Sequence, residues 1–455
     1  MKMLVHTASR RVVRTATSAQ SHTGRRCLNV GSVAGAHSQS EKIVPFSQLR
    51  QLLAQEKCRL ESNVGLIASQ NIVFPSVESV LKEIHMQSQP SEGRPGNKLY
   101  AGCEVMEQIE VLCEAEALKA FRVDSEQWDV NVQLLSCSSA NVAAALGLLS
   151  EGERIVSLST SHGGHISHGN TASSPLTRLF EPQHYGIDMS TGAVDYDDLR
   201  NLVQKYQPKL IFTGASTQTR DTDYKLIREI ADISGAYLIA DISHTSGLIL
   251  AQEFSSPFEY CDVVTTSTYK GLRGPRSAVM FYRRELAGKV QRAVFPGLQS
   301  GPRNVLIAGM CQMFRELQTS EYTDYVKQTV RNAQRMSERL SDAGFHVLGG
   351  GTDSHQMTIH AENAVDFERK AEASGITLNR NMWPGNTNPF RPTGLRIGTN
   401  LTTVNGYKED DYDFLADVMC RVRSSERAET IALDVQNFLA GKELALDDDE
   451  DICIG

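Results

Sequence analysis

The residues Thr265-Thr-Ser-Thr-Tyr-Lys270, followed at once by Gly271-Leu-Arg-Gly-Pro-Arg276, decide how this chain folds and what it binds. They come directly after an apolar run, Cys261-Asp-Val-Val264, which has the composition of a buried strand. A lysine just past a strand end, beside hydroxyls and glycines, can be held and partly desolvated, so that its amine acts as a nucleophile. The stretch therefore predicts a Schiff-base lysine for an aldehyde cofactor.

A second apolar strand upstream, Leu238-Ile-Ala-Asp241, ends in a carboxylate. Because one strand–connection–strand unit separates it from Lys270, both groups can lie at the same edge of a sheet. Pyridoxal phosphate needs this pair, since the lysine forms a Schiff base and an acidic side chain partners the pyridinium nitrogen. Either residue alone would more simply be a surface charge, so the prediction depends on the two together.

The composition narrows the class of protein. The chain has 455 residues, of which 40% are hydrophobic and 22% charged, as in soluble globular proteins, and this length favours two packed domains. A net charge of −8 without a basic stripe disfavours nucleic acid as a partner. The sequence has no apolar run long enough for a transmembrane helix, so no membrane association is expected. Nine scattered cysteines without a Cys-x-x-Cys pair indicate a reducing compartment.

The first forty residues differ from the rest. They are rich in Arg, Ser and Thr, and no Asp or Glu occurs before Glu41. This composition predicts a mitochondrial or plastid transit peptide over residues 1–40, with the mitochondrial matrix as the expected location and a disordered basic tail as the alternative. At the other end, the run Asp447–Asp451 predicts a solvated acidic tail over residues 441–455.

Between these ends, strand patterns alternate with helix patterns, which predicts an α/β fold with a mostly parallel sheet covered on both faces. Ligands of such sheets bind outside the carboxyl ends of the strands. The expected organisation is an N-terminal arm (41–90), a large cofactor-binding domain (91–320) and a smaller α+β domain (321–440). The predicted strands of the large domain are Val130–Leu135, Ile155–Leu158, Lys209–Gly214, Tyr237–Asp241, Val263–Thr266 and Ala278–Tyr282.

Two polar segments follow predicted strands. The turn Ser136-Cys-Ser-Ser139 precedes an apolar helix, where it could bind a phosphate or simply cap the helix. The segment His162-Gly-Gly-His165-Ile-Ser-His168 could be taken for a metal cluster. Its glycines, and the lack of a partner Cys or Glu motif, argue against a metal site, and none is expected.

The chain closely resembles one family, the serine hydroxymethyltransferases, which are fold-type-I enzymes that use pyridoxal phosphate. The matching stretches occur in the family's order from about residue 47 to 423. They are Leu66–Ser69, Glu92-Gly93 with Pro95-Gly96, Gly102–Glu104, Ser161–Gly169, Ala240–His244, Lys270–Arg276, Phe295–Pro302, Gly351–His355 and Gly394–Thr399.

The resemblance implies roles for individual residues at the cofactor. Lys270 would form the Schiff base, Asp241 would pair with the pyridinium nitrogen, and His165 would lie over the ring. Residues near the phosphate and the ring oxygen would be Cys137, Ser138, Ser216, His244 and, from a neighbouring subunit, Gly301.

The resemblance also assigns the substrates, which would be serine, glycine and tetrahydrofolate. Arg396 would bind the amino-acid carboxylate through a bidentate contact, and Ser69 would lie nearby. Glu92 would carry the proton of the serine hydroxyl, with Tyr100 from the adjacent subunit, so a homodimer or homotetramer is expected. The residues that match the folate pocket are Thr160, Gly164, His165, Ile166, Asn381, Asn388, Pro389 and Phe390.

Several positions depart from the family's pattern. Tyr269 stands where the family has a histidine that helps to set reaction specificity, and Pro90 replaces a tyrosine that reaches the partner's phosphate. A proline has no backbone N–H and no hydroxyl to donate. The remaining departures are Gln70, Leu99, Cys137, Thr160, Ser300 and the pair Met382-Trp383.

These departures leave three functions open. The first is a serine hydroxymethyltransferase that uses tetrahydrofolate. The second is a folate-independent aldolase for other β-hydroxy amino acids, which Tyr269, Thr160 and Trp383 would support. The third is a catalytically weakened paralogue that acts as a regulatory subunit, which the presence of Lys270 and Asp241 opposes.

Overall fold

The computed structural model of the protein describes residues 46–386, 388 and 390–442. Among these residues, those up to Arg59 form one unit and those from Leu60 onward form a second. The predicted transit peptide and nearly all of the predicted acidic tail lie outside the described residues.

The helices of the described chain are α1 Phe46–Glu61, α2 Pro75–Leu81, α3 Glu104–Ala120, α4 Cys137–Leu148, α5 Tyr196–Tyr206, α6 Tyr224–Asp232, α7 Ser246–Leu250, α8 Ala287–Arg292, α9 Asn304–Glu316, α10 Ser320–Asp342, α11 Ala364–Ala373, α12 Asn400–Val404, α13 Glu409–Arg423 and α14 Ala428–Leu439. The strands are β1 Val64–Gly65, β2 Trp128–Asn131, β3 Arg154–Leu158, β4 Glu181–Tyr185, β5 Leu210–Thr213, β6 Tyr237–Asp241, β7 Val263–Ser267, β8 Ala278–Arg283, β9 Gln356–His360, β10 Ile376–Thr377, β11 Asn379–Asn381 and β12 Gly394–Gly398. None of the described helices combines the length and apolar composition that crossing a bilayer requires.

A seven-stranded sheet with the order β2-β8-β7-β6-β5-β3-β4 forms the centre of the second unit. Strands β3 to β7 are parallel, and β8 runs antiparallel to both of its neighbours. Every residue of β5 and β7 is buried, because helices cover both faces of a parallel sheet. The predicted mostly parallel α/β sheet is therefore confirmed.

Two details of this sheet differ from the sequence-based expectation. Strand β2 ends at Asn131, earlier than expected, because the Asn131 side chain accepts a hydrogen bond from the Gln133 amide and turns the chain. Strand β4 was not predicted. Its sequence, Glu181-Pro-Gln-His-Tyr185, has no apolar run because it pairs with β3 alone at the edge of the sheet.

A separate three-stranded antiparallel sheet, β11-β12-β9, lies later in the chain. Its apolar residues, such as Met357 and Leu395, form a second core with side chains from α10, α11 and α13. A short parallel pair, β1 with β10, joins the segment before α2 to this part of the molecule. The domain boundaries at residues 91, 321 and 440 stay predictions.

The carboxyl ends of β5 and β6 lie very close together. Gly214, which follows β5, has φ of +106°, and a Cβ atom added there would lie 2.0 Å from the Asp241 carbonyl oxygen. Only glycine allows this approach, since any side chain would collide with the neighbouring backbone. The end of β6 is thereby held against the loop that follows β5.

Candidate active site

A cavity of about 310 Å³ opens at the carboxyl ends of β5, β6 and β7. It is the position expected for a ligand of a parallel sheet. The helix α4 begins at one side of it. The predicted site residues that line the cavity are Cys137, Ser138, His165, Ser216, Asp241, His244, Tyr269 and Lys270.

Lys270 follows β7 and is 8% exposed. The Asn71 side chain donates a hydrogen bond of 2.9 Å to the Lys270 carbonyl and one of 2.8 Å to the Tyr325 hydroxyl, which fixes the loop after the strand. Burial lowers the pKa of Lys270 despite the opposing charge of Asp241. A depressed pKa makes the neutral, nucleophilic amine more available.

Asp241 is the last residue of β6, and donors surround its carboxylate. Oδ2 accepts from the Asn141 amide at 2.7 Å and lies 3.1 Å from His168 Nε2, while Oδ1 accepts from the Ser243 amide at 3.0 Å. Burial would raise the pKa of Asp241, but the hydrogen bond from His168 and nearby positive charge hold it well below its usual range. The carboxylate is therefore ionised and fixed in place.

Asn141 and His168 were not predicted as cofactor-site residues. Asn141 lies one turn into α4, where the Thr265 hydroxyl donates to its side-chain oxygen at 2.7 Å, and its amide is thereby turned towards Asp241. The His168 ring stacks on Phe212 with 4.8 Å between ring centroids. Asn141 gave no signal because it is a lone polar residue in an apolar helix.

His165, His168 and Asp241 place possible metal-ligand atoms within 4.8 Å of one another. The Asn141 amide and the Ser243 N–H donate to both oxygens of that carboxylate. N–H donors stabilise an ionised carboxylate, and they occupy the oxygen atoms that a metal ion would need as ligands. The cluster is therefore better explained as the support of Asp241 than as a metal site.

His165 is held in one orientation by a contact of 2.8 Å between its Nδ1 and the Ser167 hydroxyl. Burial lowers the pKa of His165 to about 4. The imidazole is consequently neutral near pH 7. A neutral, fixed ring beside Asp241 and Lys270 is suited to lie against the face of an aromatic ligand.

The start of α4 shows the helix cap that its serine-rich turn was expected to form, while phosphate binding there stays a prediction. The Ser136 side chain accepts from the Ser139 amide at 3.2 Å, so these two residues form the cap. Ser138 lines the cavity in the first turn, where helix N–H groups attract an anion. The Cys137 thiol contacts Asp241, with its Sγ 3.5 Å from Asp241 Oδ1.

On the far side, Arg396 from β12 approaches the loop after β5. Its Nη1 donates to the Ser216 carbonyl at 2.8 Å and its Nε to the Asn379 side chain at 3.2 Å. Burial lowers the pKa of Arg396 to about 10, and the guanidinium stays charged at neutral pH. Arg396 is thus an anchored cation in the small sheet rather than a solvated surface arginine.

Two further residues shape the cavity wall. The His244 ring stacks on His355 with centroids 5.6 Å apart, and burial lowers the pKa of His244 well below its usual value. Tyr269 is half-buried, and the Arg276 guanidinium lies 4.0 Å above the centre of its ring. This cation–π contact fixes the aromatic ring that stands directly before Lys270.

Other predicted residues do not line this cavity within one chain. Glu92 contacts Ser300, whose hydroxyl donates to Glu92 Oε1 at 3.3 Å, and a Cβ atom at Gly301 would lie 2.7 Å from the same oxygen. Tyr100 is 49% exposed. Ser69 comes three residues after Leu66, whose carbonyl accepts a hydrogen bond of 2.8 Å from the amide of Gly398 in β12.

The residues that match a folate pocket occur in two loops, and none of those described lines the cavity except His165. Thr160, Gly164 and Ile166 lie in the loop after β3, where Asn170 donates to the Thr160 hydroxyl at 2.8 Å. Asn381 ends β11, and Phe390 is 88% exposed. Asn388 accepts from the Phe390 amide, and Pro389 lies outside the described residues.

Trp383, one of the departures from the family's pattern, is buried against two histidine rings. Its ring centroid lies 5.0 Å from that of His346 and 5.2 Å from that of His360, and the residue is 7% exposed. A ring buried in this way is not presented to a ligand. Trp383 therefore gives no support to a changed substrate.

The chain is similar to known proteins over most of its length. The family model for serine hydroxymethyltransferase matches residues 46–419. Serine hydroxymethyltransferase 3, chloroplastic, from Arabidopsis thaliana is 39% identical over 401 residues, which are 83% of this chain and 76% of that protein. The serine hydroxymethyltransferase of Bombyx mori is 38% identical over 396 residues, 82% of this chain and 85% of that protein.

A mitochondrial relative is similarly close. Serine hydroxymethyltransferase, mitochondrial, from Candida glabrata is 36% identical over 418 residues, 87% of this chain and 85% of that protein. Matches of this extent include every part of the sheet that carries Lys270 and Asp241. The chain belongs to the serine hydroxymethyltransferase family.

Proposed function

We propose that this protein is a serine hydroxymethyltransferase, which interconverts serine and tetrahydrofolate with glycine and 5,10-methylenetetrahydrofolate. The observation that carries the proposal is the cavity at the end of β6 and β7, where a buried lysine with a lowered pKa lies near an ionised, fully hydrogen-bonded aspartate. Family membership supports it, as do the relatives whose names state this activity.

The residues of this cavity fit pyridoxal phosphate. When bound, this cofactor withdraws electrons from the substrate's Cα, which allows the Cα–Cβ bond of serine to break. Lys270 would hold its aldehyde carbon, and Asp241 would keep its ring nitrogen protonated. The first turn of α4, with Ser138, would hold the phosphate, and neutral His165 would lie against the ring.

The substrates would be bound by groups on both sides of the cavity. Arg396 stays cationic and is anchored through Ser216, so it would bind the carboxylate of serine or glycine. Glu92 would take the proton of the serine hydroxyl and return it during transfer of the one-carbon unit. Tetrahydrofolate would contact the loops around Gly164 and Asn381.

A complete site would need a second subunit. Glu92, Tyr100 and Gly301 do not line the cavity of their own chain, and the proposed chemistry uses all three. A twofold-symmetric partner could supply these residues reciprocally to each site. We therefore infer at least a homodimer, with a homotetramer also compatible with this arrangement.

The folate dependence of glycine formation tests the function. With purified protein, pyridoxal phosphate and serine, glycine formation should rise at least about 100-fold on adding tetrahydrofolate, since an acceptor for the one-carbon unit removes the aldehyde product. The control is allo-threonine, whose cleavage yields acetaldehyde and needs no acceptor. Efficient allo-threonine cleavage with a folate-independent serine reaction would establish the aldolase alternative, and no turnover of either would favour the regulatory paralogue.

Residues 1–40 support a mitochondrial location. Their arginine-rich, acid-free composition is typical of a matrix-targeting peptide, and relatives include a mitochondrial enzyme from Candida glabrata and a chloroplastic one from Arabidopsis thaliana. A fluorescent protein fused behind these residues should accumulate in the mitochondrial matrix. A diffuse cytosolic signal, or import into plastids, would contradict this location.

A further inference from the structure

The loop Ser91–Lys98, called the acid loop below, carries Glu92 and is tied to helix α3 by a buried ion pair. Lys98 Nζ donates to Glu110 Oε2 at 2.5 Å, and the two side chains are 5% and 2% exposed. The same ammonium donates to the carbonyl oxygens of Ser91 at 3.1 Å and Gly93 at 2.8 Å. These are the residues immediately before and after Glu92, so Lys98 holds the backbone on both sides of the proposed acid–base group.

Gln133 completes this network from the segment after β2. Its side-chain amide donates to the Gly93 carbonyl at 2.9 Å and to Glu110 Oε1 at 2.6 Å. Both oxygens of the Glu110 carboxylate are therefore occupied, as buried polar groups require. The chain turns tightly at Gly93, where φ is +96° and a Cβ atom would lie 2.2 Å from the Asn97 carbonyl oxygen.

The Glu92 side chain, in contrast, has little to hold it. Oε1 accepts one long hydrogen bond, 3.3 Å from the Ser300 hydroxyl. Oε2 is buried and has no hydrogen-bond partner among the described residues. A carboxylate with so few contacts takes its position from the backbone that carries it. That backbone is fixed by Lys98.

We infer that Lys98, itself held by Glu110 and Gln133, is a positioning residue that places the Glu92 carboxylate for proton transfer. The inference rests on the proposed function, because it takes Glu92 as the group that carries the proton of the serine hydroxyl. A misplacement of about 1 Å at a reacting group can reduce the rate by about 100-fold. Lys98 never touches substrate in this scheme and acts only through Glu92.

The test is a double-mutant cycle with Lys98→Met and Glu92→Gln. In the otherwise native protein, Lys98→Met should lower kcat for folate-dependent serine cleavage about 10–100-fold, while the KM for serine and the visible absorbance of the bound cofactor stay unchanged. In the Glu92→Gln protein the same change should cause almost no further loss, since coupled residues are not additive. Lys98→Arg, which keeps the charge, should recover part of kcat.

Two results would overturn the inference in different ways. If Glu92→Gln is defective and Lys98→Met lowers kcat equally in both backgrounds, Lys98 does not act through Glu92. If Glu92→Gln alone keeps full activity, the proposed role of Glu92 is wrong and the inference fails with it. The exposed ion pair Lys82–Glu78 provides the matched control, since Lys82→Met should leave kcat unchanged.

A second variant separates positioning from stability. Lys98→Met leaves the Glu110 carboxylate buried without its cation, which can unfold the protein. The variant Lys98→Met/Glu110→Met removes both charges and should melt closer to the native protein, yet keep the low kcat, because the acid loop still lacks its donor. Recovery of full kcat together with the melting temperature would show that the ion pair serves stability alone.

Discussion

Replacing Lys270 by alanine should abolish the visible absorbance of the bound cofactor and lower kcat for serine cleavage by at least about 10³-fold. The physical reason is that Lys270 is the one amine among the described residues that lines the cavity, and burial lowers its pKa towards a nucleophilic form. Absorbance spectra before and after dialysis, with the rate of glycine formation, measure the effect. The control is Lys205→Ala, which replaces an exposed lysine and should change neither quantity.

The same variant tests whether the sites are shared between subunits. Lys270→Ala and Glu92→Gln proteins, each inactive alone, should regain about a quarter of native activity when unfolded and refolded together in equal amounts. Half of randomly assembled twofold dimers are hybrids, and each hybrid has one site with both residues intact. A mixture that stays inactive would mean that Glu92 and Lys270 act within one chain, and a colourless native protein would refute the cofactor assignment.

Replacing Asp241 by asparagine should lower kcat about 100–1000-fold while serine still binds. The reason is that the cofactor's ring nitrogen would lose the buried carboxylate that keeps it protonated. The carboxylate has almost the same shape as the amide, so the change removes charge and leaves volume. Asparagine would also place an NH₂ group among the donors Asn141 and His168, which now serve Asp241. Stopped-flow spectra of glycine binding and steady-state rates separate binding from chemistry.

The pKa of Asp241 gives this prediction a second readout. Because its pKa lies well below the usual range, the carboxylate stays ionised across neutral and mildly acidic pH, and Asp241 should add no titration to the native rate profile. Asp434→Asn, at a partly buried ion pair with Arg421 outside the cavity, is the control and should behave as native protein. Native-like kcat in Asp241→Asn would show that the ring nitrogen has another partner.

Much of the large sheet was predicted correctly because its strands are buried apolar runs. The predicted strand Tyr237–Asp241 agrees with β6 at both ends, and the fold-type-I class is confirmed by the sheet and by family membership. The edge strand β4 and helix α9 were missed. β4 is polar along its length, and α9 follows a proline- and glycine-rich loop that gave no clear start signal.

The residues of the site were predicted less completely than the strands of the sheet. Motif positions gave Lys270, Asp241 and His165, which the fold brings to one cavity. Sequence could not give Asn141, because an isolated asparagine in a helix has no recognisable spacing to Asp241. Nor could sequence show that the Trp383 ring, close to Asn381 in the chain, turns towards His346 and His360.

The sequence by itself determined the family, the mostly parallel sheet and the Lys270–Asp241 pair, because strand ends of a parallel sheet bring such residues to one edge. Only the tertiary structure decided which side chains contact and hold the residues of the site. Asn141 and His168, which contact the Asp241 carboxylate, lie 100 and 73 residues before it in the chain. Gln133, which holds the Gly93 carbonyl beside Glu92, lies 40 residues after Gly93. Side-chain contacts over such distances depend on packing, and periodicity in a sequence carries no record of them.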